Sequence, residues 1–187
     1  MIHSYNIYYF IDKFDRDEIL NLDPKIDIIY RNYKNEKIDN IIKNIKKCCK
    51  IDNRKFFLSN NLKIAKKYQL DGLYIPSFNN KLNYKNLNKQ KNFKIIGSAH
   101  NKKEIIIKKK QGCDLIFLSP LFKNAKSKFF LGITKFNLIA LNSSTKIIGL
   151  GGINEKNIRR LYCSKVKGFA SISWIKKNRP KKLGRLI

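Results

Sequence analysis

The sequence is short of acid: 13 Asp and Glu stand against 34 Lys and 7 Arg, for a formal charge of +28 at pH 7. It also lacks any apolar run near the ~20 residues that a helix needs to cross a bilayer, which excludes a membrane-spanning helix. No basic-then-apolar leader precedes a small-residue cleavage site, because Tyr8, Tyr9 and Phe10 run straight into Asp12, Lys13 and Asp15. The expectation is therefore a cytoplasmic protein. Cysteine is sparse and badly spaced for metal: Cys48, Cys49, Cys113 and Cys163 contain no CxxC, and only His3 and His100 could assist them. Neither a zinc site nor a disulfide framework is expected. Repeats and linkers are absent too. With 43% apolar and 12% aromatic residues, the 187-residue chain can bury a real core, as one domain spanning 1–187.

The large charge has a plain explanation in composition. Lys, Ile and Asn make up 85 of the 187 residues, and all three are encoded by adenine- and thymine-rich codons. The lysines are spread along the chain, whereas a nucleic-acid binder gathers Arg and Lys on one stripe beside stacking aromatics. No specific nucleic-acid partner is expected, and a homo-oligomer is compatible with the sequence. The field would still attract polyanions at low salt, so a polyanion-binding protein on an inert scaffold is a reading from a different class.

Eight short apolar, β-branched runs bounded by polar turns read as strands: 6–11, 26–31, 55–58, 72–75, 94–97, 115–118, 146–150 and 168–172. Several are continuously hydrophobic, the mark of parallel strands covered on both faces. Between them, 36–50 carries Ile38, Ile41, Ile42 and Ile45 at helical spacing. Residues 101–111 follow the same plan through Ile105, Ile106 and Ile107, with Asn101 as cap and Gly112 as stop. Shorter helices are predicted at 15–21, 61–68 and 154–162, and a weaker one at 81–90. Strand–helix alternation repeated eight times predicts an α/β fold, a small (β/α)8 TIM barrel with short loops and a stunted last helix; the alternative is an open doubly wound sheet.

Chemistry in such a barrel sits at the C-terminal strand ends. Those positions carry Arg31, the run Ser59 to Asn61, Ser77 and Asn79, Ser98 and His100, the loop with Lys126 and Lys128, the pair Gly151 and Gly152, and Ile172 with Ser173. Two glycines ahead of a helix let backbone N–H groups approach an anion, and the loops after strands seven and eight are where such barrels often hold phosphate. Arg31 can clamp phosphate oxygens in bidentate fashion, and Lys126 or Lys128 can place an ammonium on a second anionic group. His100 reads equally as a general acid or base and as a helix-capping residue.

Five pieces in a fixed order, SNNLKIAKKYQLDGLYIPS (59–77), GSAHNKKEI (97–105), GCDLIFLSPLF (112–122), GLGGIN (149–154) and GFASIS (168–173), give the chain its resemblance to the thiamine-phosphate synthases and the related TenI-type thiazole tautomerases. The resemblance implies a transferase of thiamine biosynthesis that joins hydroxymethylpyrimidine diphosphate to thiazole phosphate and releases diphosphate, with magnesium assisting. It implies Arg31 and Ser98 as catalytic residues; Lys126 and Lys128, in the loop KNAKSK where the family is threonine-rich, are a departure, read as catalytic residues that supply positive charge the metal would have brought. It assigns the diphosphate and pyrimidine to Arg31, Lys34, Asn60, Asn79 and Ser98, and the thiazole phosphate to Gly151, Gly152, Ile172 and Ser173. The chain also departs from the family. A glutamine two residues before the arginine and a lysine two after are here Ile29 and Tyr33, with Lys34 one step late. A histidine of strand four is Tyr74. The two magnesium-binding aspartates fall on Asn60 and Asn79, which predicts weak or absent Mg²⁺ binding. Loss of those charges leaves a second expectation: a thiazole-phosphate-binding protein or tautomerase without transferase activity.

Overall fold

Strand β1 (Asn6–Ile11) explains why the strands read as unbroken hydrophobics: every residue after Asn6 is buried. Tyr8 and Phe10 join one apolar cluster, while Ile7, Tyr9 and Ile11 join another, the period-two division of a strand between two layers. The computed structural model describes residues 6–34, 38–82, 84, 92–125, 127, 129–163, 166 and 168–178. In it the remaining strands are β2 (Ile26–Tyr30), β3 (Phe56–Ser59), β4 (Gly72–Ile75), β5 (Lys94–Ala99), β6 (Leu115–Leu118), β7 (Lys146–Leu150) and β8 (Gly168–Ala170). They form a closed parallel barrel in chain order, sealed where Asn6, Ile7 and Tyr8 pair with Gly168, Phe169 and Ala170. The open doubly wound sheet is excluded.

The barrel interior is filled by rings. Phe117 lies 5.2 Å from Tyr8 and 5.6 Å from Phe10, and Tyr74 packs edge-on to Phe10 at 5.2 Å. Around the strands, a second cluster faces the helices and includes Ile42, Ile45, Ile105, Phe136 and Trp174.

The helices follow the sequence with instructive exceptions. Helix α1 (Arg16–Leu20) is capped by Asp15, and α3 (Leu62–Lys67) by Asn61. Helix α2 (Asp39–Ile51) buries Ile42 and Ile45 as its spacing predicts, and adds Cys48 and Cys49 to the core. Burial pushes the Cys49 and Cys113 thiols up to about 12, so both are packing groups. Helix α4 (Lys102–Lys110) has the Asn101 cap, with Asn101 Oδ1 accepting from Glu104 N–H at 3.0 Å. Its stripe differs from expectation: Ile106 is exposed, while Lys108 is fully buried. A helix that the sequence pattern did not predict, α5 (Gly132–Leu141), precedes β7. Residues 158–163 form a 3-10 helix in place of the expected α-helix. Helix α6 (Ser173–Asn178) stands at the place of the predicted last helix, and the residues after it lie outside the described ones. Most of the predicted helix at 81–90 lies outside the described residues.

Acid is used at the opposite end from the site. Asp71 and Asp114 accept from the N–H groups of Phe56 and Ile95 at the starts of β3 and β5. Asp27 accepts from Lys55 N–H, and burial pushes its carboxyl up to about 6. Arg54 is buried, donates to the carbonyls of Leu22, Asp23 and Ile26, and pairs with Asp52, fastening the entry to β2.

Candidate active site

Parallel closure brings every C-terminal strand end to one mouth, and with them Arg31, Asn60, Asn79, Ser98, Gly151 and Gly152. Arg31 follows β2, its N–H held by the Ile11 carbonyl at 2.8 Å and its guanidinium 4.9 Å above the Phe10 ring. That places the cation over the aromatic floor of the barrel, where stacking orients it.

Ser98, on β5, is buried and accepts a hydrogen bond from Tyr74 Oη at 2.9 Å. Burial pushes the Tyr74 phenol up to about 12, so it stays protonated and remains the donor. Ser98 Oγ, its acceptor role filled from below, keeps its own hydrogen for a ligand oxygen. Tyr74 thus does a job invisible in the strand pattern: it fixes the hydroxyl that the sequence singled out. Arg31 and Tyr33 both lie close enough to act on the Tyr74 phenol.

Gly151 and Gly152 have φ of 88° and 74°, the left-handed region that glycine enters at little cost. A Cβ on Gly152 would stand 2.2 Å from the Phe122 carbonyl oxygen, so the turn closes only without a side chain. The loop after β6 is zipped onto this turn through Leu121 N–H to Leu150 O and Phe122 N–H to Gly151 O. Strand β8 stops at Ala170, two residues earlier than predicted, and buried Ser171 beyond it turns its hydroxyl to the Ile153 carbonyl. Ile172 and Ser173 therefore lie beyond the strand, with Ser173 opening α6. Ser173 lines a cavity of about 380 Å³ with Asn154, Lys156, Trp174 and Lys177, and with the carboxylate of Glu155.

A smaller cavity of about 100 Å³ opens beside Arg31, between the ends of β1 and β8. Lys13 and Lys176 line it together with Ile172, against the carboxylates of Asp12 and Glu18. Glu18 is buried and accepts from Tyr9 Oη at 2.5 Å. Sequence reasoning missed Lys13 and Lys176, since nothing distinguishes them among 34 lysines until the barrel closes. Lys34 is exposed on the loop after β2, its N–H held by Asn32 Oδ1. Lys126 and Lys128 lie outside the described residues. His100 is structural in its contacts: its N–H donates to Glu104, and Nδ1 lies 3.0 Å from the Ser119 carbonyl, tying the ends of β5 and β6 together.

The Asn60 and Asn79 side chains meet, but as partners of each other. Asn79 Nδ2 donates to Asn60 Oδ1 and to Tyr84 Oη, while Asn79 Oδ1 accepts from Lys81 N–H. Both amide oxygens are thus engaged by N–H donors, and neither side chain carries charge. Among the described residues no group of three His, Cys, Asp or Glu is placed to hold a metal. A hard divalent cation that prefers carboxylate oxygen does not fit this donor set.

Known proteins resemble both sequence and fold. The family model described as thiamine monophosphate synthase matches residues 20–175. A thiamine-phosphate synthase of Prochlorococcus marinus subsp. pastoris is 31% identical over 173 residues, covering 86% of this chain and 48% of that protein. Another from a second Prochlorococcus marinus strain is 32% identical over 143 residues, covering 71% of the chain and 39% of the relative. The chain spans about half the length or less of these curated relatives. Among solved structures, a thiamine phosphate pyrophosphorylase from Pyrococcus furiosus superposes with a TM-score of 0.77 at 18% identity, covering 96% of this chain and 94% of its own. The corresponding protein of Bacteroides thetaiotaomicron reaches 0.65 at 16% identity, covering 94% and 86%.

Proposed function

The chain belongs to the thiamine monophosphate synthase family, and on that premise we propose that its barrel mouth couples hydroxymethylpyrimidine diphosphate to thiazole phosphate, forming thiamine phosphate and releasing diphosphate. The observation that carries this reading is the convergence of Arg31, the Tyr74–Ser98 hydroxyl pair and the Gly151–Gly152 turn on one opening. In the reaction, the bond from the pyrimidine methylene carbon to the diphosphate oxygen breaks and its electron pair leaves with diphosphate. A bond from the thiazole nitrogen to that carbon forms. Catalysis of this kind rests on positioning and on stabilising the charge that gathers on the leaving group.

Each group has a role in that scheme. Arg31 clamps diphosphate oxygens, and Ser98 donates its free O–H to one of them. Lys13 and Lys176, facing the cavity next to Arg31, offset charge on the far phosphate. The N–H groups of Gly151 and Gly152 hold the thiazole phosphate, with Ser173 at its other side. Lys34 adds positive charge on the loop after β2, and Lys126 and Lys128 are assigned from the sequence to supply charge for the diphosphate. The Asn60–Asn79 pair supports a reaction that does not depend on tightly held magnesium. Small phosphorylated molecules in the cytoplasm are the partners this reading requires, and nucleic-acid binding is expected to be weak, sequence-blind and abolished by salt.

The test is to mix the purified protein with both substrates, with and without Mg²⁺, and assay thiamine phosphate. Product in both conditions is expected. The lost carboxylates at Asn60 and Asn79 favour a second reading, a thiazole-phosphate-binding or tautomerase barrel without transferase activity. Thiazole-phosphate binding with no product in either condition establishes it instead.

A further inference from the structure

Two large rings stand exposed at the mouth where a soluble protein gains nothing from exposing them. Tyr33, on the loop after β2, is 51% exposed, and Phe78, on the loop after β4, is 65% exposed. They come from separate loops, yet their centroids lie 5.5 Å apart, edge to face at 76°. Tyr33 occupies the place where the resemblance predicts a lysine, so an aliphatic cation has given way to a flat apolar surface with a hydroxyl tip.

Both rings are held in place from beneath. Ser59 Oγ donates to Tyr33 Oη at 3.1 Å, tying the β2 loop to the end of β3. The loop carrying Phe78 is gripped on either side by α4. Lys108 Nζ donates to the carbonyls of Pro76 and Asn79, at 2.8 and 2.7 Å. Gln111 Nε2 donates to those of Asn79 and Lys81, at 2.8 Å each. Lys108 reaches them fully buried, its stem passing under Gly97, where a Cβ would meet it at 3.0 Å. A buried ammonium spent on two backbone carbonyls fixes the loop, and the ring it presents is pre-positioned without an ordering cost on binding.

We propose that Tyr33 and Phe78 form an aromatic cap on which the flat heteroaromatic ring of the diphosphate substrate stacks. The cap stands beside the polar group below it: Tyr33 and Arg31 both act on the Tyr74 phenol that holds Ser98. A ligand with a flat ring joined to a diphosphate meets apolar surface and cation in the order the site presents them. This rests on the reading given under Proposed function and assigns two residues to ring recognition within it.

The experiment is calorimetric binding of hydroxymethylpyrimidine diphosphate and of inorganic diphosphate to wild type, Tyr33→Ala, Phe78→Ala and Tyr33→Phe. Both alanine variants should bind the pyrimidine diphosphate about tenfold more weakly, the scale of one lost aromatic contact. Inorganic diphosphate affinity should not change, and Tyr33→Phe should restore the ring preference. If the alanine variants keep wild-type affinity for the pyrimidine diphosphate, the cap is wrong while the proposed function stands. Equal wild-type affinity for both ligands overturns the cap in the same way. A wild type that binds neither ligand overturns both.

Discussion

Two glycines of the mouth offer a controlled comparison. Gly132 and Gly152 have nearly the same backbone, with φ of 69° and 74°. Alanine at either site pays the left-handed penalty of about 1–2 kcal/mol. Their surroundings differ completely. A Cβ on Gly132 meets nothing within 4 Å, whereas on Gly152 it would lie 2.2 Å from Phe122 O and 2.7 Å from Lys123 O. Gly132→Ala should therefore lose about 1–2 kcal/mol and lower Tm by about 4 °C in a chain of this size. Gly152→Ala must also push away the loop after β6, which is zipped down by Leu121 N–H to Leu150 O and Phe122 N–H to Gly151 O. At about 1 kcal/mol for each hydrogen bond lost, the total rises to about 3–4 kcal/mol and the Tm loss to about 10 °C. Thermal unfolding by circular dichroism reads the stability difference, and calorimetry with thiazole phosphate reads the site. Gly152→Ala should lose that binding while Gly132→Ala keeps it. Equal Tm losses for the two variants would refute the steric argument.

Further outcomes follow from buried charge and buried thiol. Arg54→Ala leaves the Leu22, Asp23 and Ile26 carbonyls and the Asp52 carboxylate without their partner, and should cost about 3–5 kcal/mol by urea unfolding. Asp27, whose carboxyl is pushed up to about 6 by burial, binds a proton more tightly folded than unfolded. Its ionisation thus weakens the fold as pH rises from about 4 through 6. Asp27→Asn should raise Tm at pH 8 and make no difference at pH 4; a shift of the same size at both pH values would contradict this. Cys49 and Cys113, buried and raised to about 12, should resist a thiol reagent at pH 7.5 in the native protein and react on denaturation.

The barrel was legible because its signal is redundant. Strands buried on both faces need apolar residues throughout, and runs such as LIFL and GLYI announce that without any help from neighbours. Helices with a side-chain cap, such as α4 behind Asn101, were equally plain. Helix α5 was not, because it opens at a glycine behind Leu131 with no side-chain cap and leaves Leu138 and Leu141 exposed, so neither a start signal nor a clean stripe marks it. Lys108 misled for a related reason: helical spacing assigns lysine to solvent, and only the fold reveals two carbonyls waiting within reach. At the site, Arg31, Ser98 and the glycine pair could be read as strand ends. Tyr33 and Phe78, or Lys13 and Lys176, are brought together by the register between strands, which no single segment encodes.

The seam between first and last strands has a kinetic consequence. Strand β1 pairs with β8 through only three residue pairs, so during synthesis its outer edge waits unpaired until β8 has been made. Until then it is an apolar template open to any passing extended segment. Ring closure joins the first and last of the eight strands, a long-range pairing of the kind that forms slowly.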